Sequence, residues 1–142
     1  MNNSLIKQYI DVQPVKVVRK LDLSTGKLAY DKITQCQKRT DAKPEELCRA
    51  YLLTKLVNEL GYEPDRIEIE HEYTAGRPHT ITSRIDIIVR DANGDAFLFI
   101  EVKNQEEYAT IDKDSVIEEQ LFKLAGMERT EGHDVKYLVL YT

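Results

Sequence analysis

The sequence has few of the residues that build disulfide frameworks, structural zinc sites or membrane spans. Its 142 residues include only two cysteines, Cys36 and Cys48, and these form no Cys-x-x-Cys pair. Disulfides and structural zinc are therefore not expected, and a reducing cytoplasm is the compartment that fits best. No apolar run approaches the roughly 20 residues needed to cross a bilayer, and the polar beginning does not resemble a signal peptide.

A surplus of basic residues is also missing, because 20 lysines and arginines stand against 25 acidic residues, for a net charge of −5. A free-standing nucleic-acid binder usually has the opposite balance, since neutralising phosphates supplies most of its affinity. Binding to nucleic acid would therefore require clustered basic residues, with further affinity from another part of a larger protein. The glycines form no Gly-x-x-x-x-Gly-Lys-Ser/Thr loop, so we do not expect the chain to bind ATP.

What is present suits one globular domain over residues 1–142, with 42% apolar and 32% charged residues. The apolar pattern predicts the order strand, strand, helix, strand, hairpin, helix and strand. That order indicates an α/β fold with a mixed sheet flanked by helices. The chain closes on the apolar run 135–141 without a polar tail, so we expect a domain cut from a longer protein.

The two helices carry the clearest local signals. One is predicted over 44–60, with Pro44 at its first position, acidic residues in its first turn and Gly61 beyond its end. The other is predicted over 115–127, where Ser115 and Glu118 would form a capping box. Weaker patterns predict a strand over 15–21 and a second strand after a turn at 24–26.

The central strands are predicted from alternation and from a turn. Residues 67–73 alternate as in a half-exposed strand, and a loop should follow over 74–82. The runs 85–89 and 96–102 are apolar at both parities, which is typical of strands covered on both faces. Asn93-Gly94 between them predicts a hairpin with a two-residue turn. That register places Asp86 opposite Glu101, with Lys103 on the same face. A symmetric four-residue loop gives the same pairing, whereas an odd-length loop would break it.

Two carboxylates at that separation would repel each other, and would lose hydration on apolar strands, unless a cation neutralises them. One interpretation is a structural ion pair with Lys103 or Arg84. The other is a divalent cation such as Mg²⁺, which binds one or two protein carboxylates and leaves positions for water and phosphate oxygens. In the second interpretation, Lys103 would stabilise an attacking hydroxide and the charge that develops on a phosphodiester. The spacing leaves both interpretations open.

The same residues resemble a known pattern. Asp86, followed fourteen positions later by the strand-borne Glu101-Val102-Lys103, looks like the PD-(D/E)xK nuclease pattern, although Ile85 stands where that pattern has proline. Over residues 44–142 the chain resembles more closely the N-terminal nuclease domain of type I restriction enzyme R subunits. The segments that carry this resemblance are Pro44-Glu45-Glu46-Leu47-Cys48-Arg49, Leu60-Gly61-Tyr62, the acidic strand 67–72, Arg84-Ile85-Asp86-Ile87-Ile88, Ile100-Glu101-Val102-Lys103 and Tyr137-Leu138-Val139-Leu140.

The resemblance implies a restriction-endonuclease-like fold and a Mg²⁺-dependent endonuclease, with Mn²⁺ as a substitute, that cuts double-stranded DNA without reading its sequence. It implies that Asp86 and Glu101 bind the metal and that Lys103 acts on the attacking water. Glu46, from the first helix, would bind the metal or a water on it; the alternative is an acidic residue favoured by the helix dipole. The implied partners are DNA and the motor or methyltransferase and specificity parts of a restriction–modification system, with no membrane.

Other candidate residues match less completely. Gln120 occupies the first position of a Gln-x-x-x-Tyr motif that many relatives carry, but Leu124 stands in place of the tyrosine. The alternative for Gln120 is a position at the border of the core. Arg77 and Arg84 are candidates for contacts to DNA phosphates, with solvated surface charge as the alternative. The rival function is a catalytically inactive domain that only binds DNA or partner subunits, which the acidic net charge and the missing tyrosine favour.

Overall fold

The helices and strands are taken from a computed structural model that describes residues 2–35, 41–75, 80–110 and 112–142. In chain order they are α1 (Asn3–Asp11), β1 (Val18–Asp22), β2 (Lys27–Tyr30), β3 (Thr34–Gln35), α2 (Pro44–Asn58), β4 (Ile67–Ala75), β5 (Thr80–Arg90), β6 (Ala96–Val102), α3 (Gln105–Thr110), α4 (Lys113–Ser115), a π-helical segment (Val116–Phe122), α5 (Lys123–Thr130) and β7 (Val135–Tyr141). Among these residues, no helix has both the length and the hydropathy that crossing a membrane requires.

The main sheet has five strands in the order β3-β4-β5-β6-β7. Its three central strands pair antiparallel, whereas β3 pairs with β4 and β7 pairs with β6 in parallel. β1 and β2 form a separate antiparallel pair. Parallel neighbours need a crossover connection, and the helical stretch between β6 and β7 provides one. The predicted α/β fold, a mixed sheet flanked by helices, is confirmed.

Apolar side chains cover the main sheet in two separate clusters. In the first, residues of α1 and α2 such as Leu53 pack with Ile87 of β5. In the second, Leu121 and Leu124 of the later helical stretch pack with Phe99 of β6. The two clusters lie on opposite faces of β5 and β6 and each contains residues of both strands, so the two-sided covering predicted for these strands is confirmed.

α2 positions one side of the site described below. It begins at Pro44, as predicted, and ends at Asn58, two residues before the predicted end. Proline suits the first position because its missing N–H would have no helical partner there. Gly61 has a φ of +76°, and the N–H of Tyr62 donates to the carbonyl of Leu56 at 3.1 Å, which closes the helix end.

β4 and β5 both reverse the direction of their side chains. Residues an even number apart in a regular strand share a face, but Ile69 packs in the first cluster and Tyr73 in the second. The same reversal separates Ile87 from Ile85 in β5. In β4 the break includes Glu70, whose φ of +55° is uncommon for a residue with a side chain. Both strands therefore break alternation at the same level of the sheet.

The hairpin between β5 and β6 reaches the predicted register through a different turn. The strands close at Arg90 and Ala96, which leaves a loop over residues 91–95 instead of the predicted two-residue turn. An odd-length loop should move the pairing by one position, but a bulge at Phe97 restores it. The turn prediction is wrong, whereas the predicted register is confirmed as far as the pair of Ile87 and Ile100.

The second predicted helix is longer and less regular than its sequence pattern. Helical structure runs from Lys113 to Thr130, with the π-helical segment between α4 and α5. Asp112 accepts the backbone N–H of Asp114 at 3.1 Å at its beginning. Ser115 has helical backbone angles and makes no capping hydrogen bond, so the predicted capping box is wrong.

The remaining predictions differ mainly at element ends. β1 begins three residues later than predicted, and β7 matches its predicted range. The loop predicted over 74–82 is shorter, because β4 continues to Ala75 and β5 begins at Thr80; residues 76–79 lie outside the described ranges. α1 was not predicted, since its two buried residues, Ile6 and Ile10, give too short a periodic pattern.

Candidate active site

Asp86 lies in β5, one residue beyond the last pair of the β5–β6 ladder, Ile87 with Ile100, and Glu101 is the next residue of β6. Its Oδ2 accepts a hydrogen bond of 2.8 Å from the backbone N–H of Val102. This bond holds the Asp86 carboxylate against β6. The predicted juxtaposition of the two acidic residues on adjacent strands is therefore present, at the level where β5 breaks its alternation.

Glu101 is the buried acidic residue of β6, with 8% of its surface exposed. Its Oε1 lies 3.3 Å from Nζ of Lys103, and its Oε2 has no hydrogen-bond partner among the residues described. Burial, and next the charge of Asp86, raise the pKa of Glu101 to about 8. A buried carboxylate oxygen in this situation is costly unless a proton or a cation joins it.

Lys103 follows the end of β6. Its backbone N–H donates to the carbonyl of Tyr141 at 2.9 Å, which extends the pairing with β7 and fixes where the side chain starts. Burial alone would lower the pKa of Lys103, but the carboxylate of Glu101 outweighs it and raises that pKa. The ammonium group therefore stays charged beside Glu101 at neutral pH.

A buried arginine connects the carboxylates of three elements. Arg49 of α2 is 1% exposed, and its guanidinium contacts Glu46 of the same helix. It also lies 3.5 Å from Oε1 of Glu70 in β4 and 3.7 Å from Oδ1 of Asp86 in β5. Burial alone would lower the pKa of Arg49, but the charge of Glu46 and other neighbours raises it. Arg49 is therefore a permanent positive charge inside the site.

Glu46 is buried beside this arginine. Nε of Arg49 donates to its Oε1 at 3.2 Å, and Nη2 of Arg49 contacts its Oε2. The hydroxyl of Tyr30, in β2, also donates to Oε1 at 2.6 Å, so the small sheet supports the same carboxylate. Both oxygens of Glu46 are thus in contact with protein donors, and its role as a metal ligand stays a prediction.

Glu70 is the acidic residue that sequence reasoning missed. It is 2% exposed, whereas its neighbours in the alternating run, Glu68 and Glu72, are half-buried. The pairs formed on either side of it in β4 and β5 place it opposite Asp86. No periodic signal separates Glu70 from the other two glutamates. The break in alternation that turns its side chain inward cannot be predicted from the spacing of apolar residues. Arg49 was missed for a related reason, since its partners lie on other elements.

Four carboxylates thus gather around two basic side chains. The acidic members are Glu46, Glu70, Asp86 and Glu101, and the basic members are Arg49 and Lys103. With every member ionised, four negative and two positive charges leave a charge of −2. Carboxylate oxygens are the ligands that hard divalent cations such as Mg²⁺ prefer, so the donor set and its charge fit such an ion.

Two other predicted residues, Gln120 and Arg84, do not contact this cluster among the described residues. Gln120 lies in the π-helical segment and is exposed, not at the border of the core. Arg84 is exposed in β5 and forms an ion pair with Glu72, with Nε and Oε1 3.1 Å apart. Arg77 lies outside the described residues.

A second polar cluster lies beside α5. Glu128 is fully buried, and its carboxylate accepts hydrogen bonds from Tyr73 and from Arg90. Nε of Arg90 also donates to Glu68 at 2.7 Å. Burial would raise the pKa of Glu128, but these two donors outweigh it and lower that pKa. Arg90 offsets only part of the charge of Glu68 and Glu128, and ligand atoms of His71, Glu128 and Glu131 lie close enough together to hold a metal ion.

The fold and the site together define an α/β domain with an acidic cluster and a lysine where strands β5 and β6 meet. A family model described as type I restriction enzyme R protein N terminus matches residues 44–125, more than half of the chain. The chain belongs to this family, and it is therefore a domain of the restriction-system class. No curated protein matches the chain.

Proposed function

We propose that this domain is a metal-dependent endonuclease that hydrolyses phosphodiester bonds of double-stranded DNA, with sequence specificity supplied by other parts of the restriction system. One observation carries the proposal. The buried Oε2 of Glu101 has no hydrogen-bond partner among the described residues, and it belongs to a carboxylate beside Asp86 and the Lys103 ammonium. A purely structural ion pair gives no reason to bury a second carboxylate there.

In the proposed site, Asp86 and Glu101 hold Mg²⁺, or Mn²⁺ in its place. When bound, such an ion lowers the pKa of a water and offsets the charge of a phosphate. Asp86 is held for this role by the N–H of Val102, which leaves its carboxylate facing Glu101. Glu46 would contribute from α2 through Arg49, the arginine that also contacts Asp86.

Lys103 supplies the positive charge on the reacting side. Its ammonium lies 3.3 Å from Glu101, and its pKa is raised, since the Glu101 carboxylate outweighs the opposing effect of burial. A fixed cation there stabilises a hydroxide as it approaches the phosphorus and the negative charge that grows on the phosphate. Arg84 and Arg77 are proposed to contact DNA phosphates, and Gln120 would act at the substrate edge.

The alternative is a catalytically inactive domain that binds DNA or partner subunits. Two observations favour it: Gln120 is exposed, and Leu124 is buried where many relatives have tyrosine. Either function needs DNA affinity from elsewhere, because the chain carries a net charge of −5. A motor or methyltransferase with its specificity part is the partner proposed for this purpose, and ATP would bind there.

Cleavage of plasmid DNA by the natural protein, in the presence of Mg²⁺, tests the proposal. The Lys103→Ala variant should lose cleavage by at least about a hundredfold, as expected for loss of one charge-stabilising group. Lys136→Ala is the matched control, since Lys136 also follows an acidic residue by two positions but pairs with Asp91 at 3.1 Å. Normal cleavage by Lys103→Ala contradicts the mechanism, and no cleavage by wild type favours the inactive domain.

A further inference from the structure

Arg49 is enclosed by carboxylates in a site where a cation is proposed to bind. Its 1% exposure removes the guanidinium from water, which is costly unless its charge and its N–H donors are matched. The matching groups come from α2, β4 and β5, as Glu46, Glu70 and Asp86. The guanidinium of Arg49 therefore belongs to the acidic cluster.

The contacts of Arg49 occupy one side of the cluster. Nε and Nη2 contact the two oxygens of Glu46, and Nη1 lies 3.7 Å from Oδ1 of Asp86. Tyr30 donates a further hydrogen bond to Glu46. A metal ion that bound on this side would have to displace a guanidinium that already neutralises the same oxygens.

The other side of the cluster is less well neutralised. Glu101 has Lys103 at 3.3 Å from Oε1, but its Oε2 accepts no hydrogen bond from any described residue. With every member ionised, as cation binding requires of Glu101, four carboxylates and two basic groups leave a charge of −2, which one divalent cation brings to zero. A second divalent cation would leave a charge of +2 among buried groups, where electrostatic interactions are strong.

We propose that Arg49 is a positioning residue that takes the place of a second metal ion, so that Asp86 and Glu101 hold a single divalent cation. This inference rests on the proposed function, because it assumes that the acidic cluster binds metal. Arg49 holds Glu46 and Glu70 in place in the metal-free protein and keeps Glu46 from binding the cation directly. Arg49 thus sets the number of metal ions that the site accepts.

Counting bound Mn²⁺ by electron paramagnetic resonance tests this inference without any DNA. Wild type should bind one Mn²⁺ per chain up to saturating concentration. Arg49→Met, which removes the charge but keeps much of the volume, should bind two, because the oxygens of Glu46, Glu70 and Asp86 are released. In EDTA, the melting temperature of Arg49→Met should be lower than that of wild type. Addition of Mn²⁺ should raise the melting temperature of Arg49→Met by more than it raises that of wild type.

Two matched variants separate charge from packing. Arg49→Lys keeps a positive charge and should still bind one Mn²⁺, even though it loses the forked contacts to Glu46. Arg19→Met removes an exposed arginine of β1, outside the acidic cluster. It should leave both the melting temperature and the count of one Mn²⁺ unchanged.

Two results overturn the inference. One is a count of one Mn²⁺ in Arg49→Met with wild-type affinity. The other is two magnetically coupled Mn²⁺ ions in wild type, a result that decides the matter even if Arg49→Met does not fold. Wild type that binds no Mn²⁺ at all overturns the proposed function together with the inference, so the two failures are distinguishable.

Discussion

Glu101 lies in a folded environment that opposes its ionisation. Burial, and then the charge of Asp86, raise its pKa to about 8, whereas a glutamate in an unfolded chain titrates near about 4.3. Between these pH values the folded protein binds more protons than the unfolded chain. The contribution of Glu101 to the free energy of unfolding is therefore present below about pH 4.3 and is lost as pH rises through about 8.

The Glu101→Gln variant should remove this pH dependence, because glutamine stays neutral at every pH in the window. In metal-free buffer with EDTA, we expect the variant to be more stable than wild type at pH 8. The difference should shrink toward pH 5, where wild-type Glu101 is protonated in the folded state. Urea unfolding at both pH values measures it. Glu63→Gln, an exposed glutamate, serves as the control and should show no such change; a difference independent of pH contradicts the account.

Residue-scale chemistry was only partly predictable from the sequence. Asp86, Glu101 and Lys103 could be named from the sequence. Glu101 and Lys103 continue an apolar strand pattern, and Asp86 faces that strand across the predicted hairpin. Glu70 and Arg49 could not, since each matters through partners on other elements. Arg49 contacts Asp86 from 37 positions away in sequence, and no local spacing encodes that contact.

At the scale of elements, local signals located α2, β6 and β7 well, whereas β5 begins at Thr80, before its predicted start at 85. The hairpin register came out right although its turn was wrong, because the bulge at Phe97 compensates the odd-length loop. Such a compensation leaves no trace in apolar alternation. The π-helical segment, the short α3 and the reversal within β4 were equally out of reach, since each departs from the regular periods of 3.6 and 2.

Substitutions at two glycines should change the free energy of unfolding in opposite directions. Gly126 lies inside α5 with open space where a Cβ would be, so Gly126→Ala should raise the free energy of unfolding by about 0.5–1 kcal/mol. Gly94, in the β5–β6 loop, has a φ of +86°, so Gly94→Ala should lower it by about 1 kcal/mol. Chemical denaturation measures both, and effects of the same sign would show that one of these elements is placed wrongly.

At the scale of the whole molecule, an acidic chain carries a site proposed to act on a polyanion. The net charge of −5 opposes tight binding of DNA by this domain alone. Membership in the R protein N-terminus family implies a multi-subunit restriction system, and the affinity for DNA is proposed to come from other parts of that system. The charge of −2 that the cluster has with every member ionised would be offset by the proposed metal ion.

The central claim is that the acidic cluster binds a divalent cation through Asp86 and Glu101. Calorimetric titration of the metal-free protein with Mg²⁺ tests it most directly, with Asp86→Asn as the site variant. Asp91→Asn is the control, since Asp91 lies in the β5–β6 loop and pairs with Lys136 outside the cluster. The account predicts saturable binding by wild type and by Asp91→Asn, and its loss in Asp86→Asn. Wild type that binds no Mg²⁺, or Asp86→Asn that binds it as wild type does, would contradict the account.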